Sequence, residues 1–118
     1  MVTQTPTAVN LLMNESSAVQ DFLFRVRGVY GEKIERASLF GSKARGDSSE
    51  YSDIDILLIV TDEDWRFKKS IIEIGSDISL EYDVLLDIRI MSASQWKYLT
   101  EIQAGLYQNI TREALPLE

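Results

Sequence analysis

The chain contains no cysteine and no histidine. The first absence excludes disulfides and thiolate zinc sites. The second removes the serine–histidine and histidine–metal arrangements. Any catalysis must therefore run on carboxylates, hydroxyls, lysine, arginine and a metal ion. Long apolar runs are missing too. The most apolar stretch, Ile54 to Val60, is far too short to span a bilayer. No basic-apolar-small signal segment opens the chain, so a cytoplasmic location is expected, with no membrane association. Positive charge is scarce: 12 Lys and Arg stand against 19 Asp and Glu, a net charge of -7. General nucleic-acid binding relies on a basic face that neutralises phosphates, and this balance argues against it.

What remains is an ordinary globular composition, 45% hydrophobic and 26% charged over 118 residues. That fits one domain with one core. Residues 1–14 are polar and read as a poorly ordered lead-in, leaving 15–118 as the single folded domain. An amphipathic helix is expected from an N-cap at Ser16 or Ser17. Val19, Phe22, Leu23, Val26 and Tyr30 recur at helical spacing, and Gly31 stops it. Ile34 to Phe40 reads as a strand. Asp53 to Thr61 is the clearest strand: Ile54, Ile56, Leu58 and Val60 share one face, and Leu57 and Ile59 the other. A strand apolar on both faces is a central one. Asp62 or Asp64 caps the next helix, whose buried stripe is Phe67, Ile71, Ile74 and Ile78. Val84 to Met91 reads as a third strand. Ser92 to Gln95 forms a capping box for a helix with Trp96, Leu99 and Ile102. A last short helix is expected from Leu106 to Ala114, ended by Pro116. The order α, β, β, α, β, α, α predicts one α/β (α+β) domain on a small mixed sheet flanked by helices.

The segment from 40 to 55, FGSKARGDSSEYSDID, carries the chemistry. Residues i and i+2 of a strand project from one face, so Asp53 and Asp55 lie side by side, about 7 Å apart. Two such charges repel by roughly 2 kcal/mol at an effective dielectric near 20. Asp87, on the third strand, joins them if the two strands are neighbours in register. Three ionised carboxylates on a rigid sheet call for a hard divalent cation. Oxygen-only ligands select magnesium or manganese, with substrate phosphates completing the coordination. Gly41 ends a strand and permits close backbone approach. Ser42 is a fitting N-cap for a short helical turn through Lys43, Ala44 and Arg45, whose N–H groups favour an anion. Lys43 and Arg45 add positive charge, and which of them faces the ligand stays open. A glycine–serine pair alone is most often a turn, and an Asp-x-Asp alone is often a solvated strand edge. Their conjunction with a third acid points to a phosphate cradle facing a metal site.

Gly41-Ser42, ten residues from Lys43 to Ser52, and then Asp53-Ile54-Asp55 resemble the signature of the minimal nucleotidyltransferases of the DNA polymerase beta superfamily. The resemblance implies a nucleotidyltransferase fold and catalysis by Asp53, Asp55 and Asp87, with Asp83 as the alternative third acid. It further implies two Mg2+ ions on the acids, Mn2+ being an alternative, and ATP held by Gly41 and Ser42 with Lys43 or Arg45 assisting. Minimal members of the family are often encoded beside a helical HEPN-domain ribonuclease toxin and silence it by transferring AMP to a tyrosine. The resemblance therefore implies an antitoxin with a HEPN partner. Neutralisation by binding alone and transfer to a small-molecule hydroxyl stay open, as does homo-oligomerisation.

Overall fold

The computed structural model describes residues 11–41, 43, 53–61, 64–102, 105, 108 and 114–117. The expectations for Ser42, Arg45, Asp62, most of the lead-in and most of the 106–114 helix lie outside the described residues.

Helix α1 spans Met13–Tyr30, one turn earlier than the serines suggest. Its start is capped from within, because the Glu15 carboxylate accepts the Leu12 N–H at 2.9 Å and the Ser16 N–H donates to the Leu12 carbonyl at 2.8 Å. A glutamate in the third helical position closes the first turn as well as a serine cap does. Ala18, Val19, Phe22 and Val26 form its buried stripe. A short 3-10 turn, Gly31–Lys33, leads into strand β1, Ile34–Phe40. Strand β2 is Ile54–Val60. Helix α2, Trp65–Tyr82, is capped by the Asp64 side chain, which accepts the Arg66 N–H. Strand β3 is Leu86–Ser92 and helix α3 is Ala93–Ile102. The capping box is present: the Gln95 N–H donates to Ser92 Oγ at 3.1 Å, and Gln95 Oε1 accepts the Ser92 N–H at 3.0 Å.

The four-stranded sheet has the order β3-β2-β1-β4, where β4 is Leu115–Pro116. Strand β2 pairs antiparallel with β1 and parallel with β3, so the sheet is mixed and β2 is interior. The parallel pair is joined through α2, the helical crossover that parallel strands require. Strand β4 corrects the sequence reading, in which Pro116 only ended a helix. The pair hydrogen-bonds along the edge of β1, a position that tolerates a residue without an N–H.

Helices α1 and α2 cover one face of the sheet. Ile54, Ile56, Leu58 and Val60 point into this core, against Phe22, Val26, Phe67, Ile71 and Ile78. The two helices are cross-linked at their polar rim. Arg25 pairs with Asp21 at 3.0 Å and with Glu81 at 2.9 Å, and Tyr82 donates its hydroxyl to Asp21 at 2.7 Å. The opposite face is smaller: Leu57 and Ile59 pack with Phe40, Met91, Ala93 and Trp96. The strand register carries Asp55 and Asp87 onto this second face.

Candidate active site

The first residue of β2 fixes the acids. The Ile54 N–H donates to the Leu85 carbonyl at 2.8 Å, and the parallel register then sets Asp55 directly beside Asp87. The start of β3 is held from behind by α2, where Ser79 Oγ accepts the Leu86 N–H at 3.1 Å and donates to the Gly75 carbonyl at 2.9 Å. Asp53 precedes β2 and is exposed, whereas Asp55 and Asp87 are half-buried. One carboxylate oxygen from each of Asp53, Asp55 and Asp87 lies within 4.8 Å of the others. Asp83 stands apart from this group. It terminates α2 in the left-handed conformation, with φ 54°.

Such crowding has an electrostatic price. Burial, then the hydrogen bond and charge of Asp87 and the charge of Asp53, push the Asp55 carboxyl up to about 6, while Arg89 opposes the shift. Arg89 sits on the same face, its Nε 4.0 Å from Asp87 Oδ2. Near pH 6 Asp55 thus keeps its proton in part, hydrogen-bonded to Asp87. A hard divalent cation would replace that proton and relieve the repulsion, and an all-oxygen donor set suits Mg2+ or Mn2+. The residues fit the ion.

Gly41 stands against the acids from the end of β1. It has φ +75°, and a Cβ placed there would collide with Asp55 Oδ2 and lie 3.1 Å from Asp55 Cγ. Only glycine allows both this conformation and this approach. Phe40 pairs with Asp55 across the antiparallel register, which places the turn beside the carboxylates. Lys43 has another partner. Its Nζ lies 2.7 Å from Glu15 Oε2, with both side chains nearly fully buried. The ammonium expected beside the phosphates is thus engaged by α1, leaving Arg45 as the other basic residue considered for that role. Glu15 escaped the sequence reading, although its spacing to Val19, Phe22 and Val26 places it on the buried stripe. An acid in phase with a core stripe was the available signal.

Residues 29–111 match the family described as "Polymerase beta, Nucleotidyltransferase". The chain belongs to this family. It is a nucleotidyltransferase with that family's α+β fold. A protein of Methanocaldococcus jannaschii provisionally named a protein adenylyltransferase is 34% identical over 101 residues, 86% of this chain and 95% of that protein. A second protein of the same organism, with the same provisional name, is 39% identical over 69 residues, 58% of this chain and 70% of that protein. Among solved structures, one described as a toxin–antitoxin with AMP-PNP superposes with a TM-score of 0.57 at 19% identity, covering 84% of this chain and 72% of that one. At that identity the likeness concerns the fold.

Proposed function

We propose that this nucleotidyltransferase moves the AMP group of ATP onto a hydroxyl, and that the acceptor is a tyrosine of a HEPN-type ribonuclease toxin, silenced by the modification. The convergence of Asp53, Asp55 and Asp87 within 4.8 Å carries the reading. Asp53 and Asp55 would hold two Mg2+ ions, with Asp87 helping to hold one of them. When bound, the ions neutralise the phosphates and the entering and leaving oxygens of an in-line displacement. Asp87 accepts the proton of the attacking hydroxyl, whose oxygen bonds to the α-phosphorus as pyrophosphate departs. Gly41 lets the backbone approach the β- and γ-phosphates, and Ser42 and Arg45 are the proposed donors to them. Positioning and charge neutralisation supply most of the rate in such transfers.

Support for AMP as the transferred group comes from the two relatives named as protein adenylyltransferases. Support for a toxin partner comes from the toxin–antitoxin with a similar fold. The test is incubation with magnesium, the partner toxin, and ATP labelled at either the α- or the γ-phosphate. The expected result is α-label on the toxin, absent when its tyrosine is replaced by phenylalanine and absent with Asp53→Asn/Asp55→Asn. Transfer of the γ-label would make the protein a kinase and overturn the proposal. Label confined to a small molecule would replace the acceptor. Toxin neutralisation that survives the double variant would show inhibition by contact alone.

A further inference from the structure

The ion pair behind the Gly41 turn has no role in the chemistry described above. Lys43 and Glu15 are 2% and 3% exposed and 2.7 Å apart. The other Glu15 oxygen takes the Leu12 N–H. Withdrawing two charges from water is costly, and apolar residues of similar volume commonly serve stability as well or better. Stability is therefore a poor explanation for the pair. Geometry is a better one. Lys43 follows two residues after Gly41, whose Cα lies so close to the Asp55 carboxylate that no side chain fits between them. Glu15 belongs to α1, which Arg25, Asp21, Glu81 and Tyr82 fasten to α2. Helix α2 in turn holds the start of β3, and with it Asp87, through Ser79. The pair thus closes a mechanical circuit from the third acid, through both helices, to the glycine turn.

We infer that Glu15 is a positioning residue for the nucleoside triphosphate: acting through Lys43, it fixes Gly41 against Asp55 and so sets where the phosphates lie relative to the acids. This rests on the reading of the site as a nucleotide site. A single substitution would strand a buried charge, so the informative variant is Glu15→Leu/Lys43→Met, which removes both charges and keeps the volume. Three quantities are read on the full chain: melting temperature, affinity for Mn2+ alone, and affinity for ATP in the presence of Mn2+. The double variant should melt near the native temperature and bind Mn2+ within about twofold of native, while ATP affinity falls by roughly tenfold or more, the size of effect that outer supporting residues have on metal sites. Should the double variant not fold, Glu15→Gln keeps the shape and the Leu12 acceptor, and is read at a temperature where it is folded. ATP affinity within about twofold of native in either folded variant overturns the inference. Native protein that binds Mn2+ but never ATP overturns the nucleotide reading itself, and that failure is distinct because it appears without any substitution.

Discussion

Asp55 is where folding and chemistry oppose each other. Its carboxyl ionises near 3.8 in the unfolded chain and near 6 in the folded one, raised chiefly by burial and then by Asp87. Between these values the folded protein holds the extra proton. Its stabilising contribution is complete below pH 3.8 and is lost as pH rises through about 6. Metal-free protein should therefore melt at a lower temperature at pH 7.5 than at pH 5, for this group's part. Asp55→Asn should flatten that dependence. With the shift discounted for partial solvent screening, the substitution should raise the metal-free melting temperature at pH 7.5 by roughly 4 °C, on the order of 1 kcal/mol. The same variant should lose Mn2+ affinity and nucleotidyl transfer by more than about a hundredfold, since even residues supporting a metal ligand are worth 10–100-fold. Calorimetry at the two pH values, with and without Mn2+, separates the effects. A lower metal-free melting temperature for Asp55→Asn at pH 7.5 would contradict the crowding of these carboxylates.

The turn and helix packing around the acids decide where those carboxylates sit. Gly41→Ala forces a left-handed residue and drives a methyl into the Asp55 carboxylate. Left-handed strain alone costs about 1–2 kcal/mol, so the variant should melt lower and also bind Mn2+ more weakly, a combination that strain alone would not give. Gly75 tests the other side of the sheet. A Cβ there would lie 3.0 Å from Ile88 Cγ1, on the strand that carries Asp87. Alanine gains about 1 kcal/mol of helix propensity, but overpacking costs about 1–3 kcal/mol. Gly75→Ala should lower the melting temperature, and an increase would show that Ile88 gives way freely. At this scale much was legible in the sequence. The doubly apolar β2 announced its interior place, and the spacing after the glycine–serine pair announced the paired acids. The start of α1 was misplaced because a serine cap is a local rule, whereas the cap is Glu15 reaching back to Leu12. Strand β4 was invisible because its two residues take their conformation from β1, with the Leu117 N–H donating to the Ala37 carbonyl. The company of Asp87 depended on a register between strands that no local pattern encodes, and the burial of Lys43 on a helix distant in sequence.

Over the whole molecule the net charge of -7 acts on every ligand the site would take. The molecule measures 36 × 30 × 28 Å, and the Debye length is about 10 Å at 0.1 M salt. A net charge of this sign on a molecule of this size biases the site toward cations as a whole. Its field attracts a divalent cation and repels a free triphosphate, so the two ligands should respond to salt with opposite signs. Raising KCl from about 0.05 to 0.5 M at pH 7.5 should weaken Mn2+ binding several-fold, as screening weakens the pull of the net negative charge. ATP added without a divalent cation should bind poorly at low salt and no worse at high salt, because the repulsion is screened first. Asp55→Asn, with one charge fewer at the centre, should show a smaller Mn2+ response to salt than the native chain. Titration calorimetry across the salt series provides the measurement. An Mn2+ affinity indifferent to salt would exclude the net charge of the molecule from any part in loading the site.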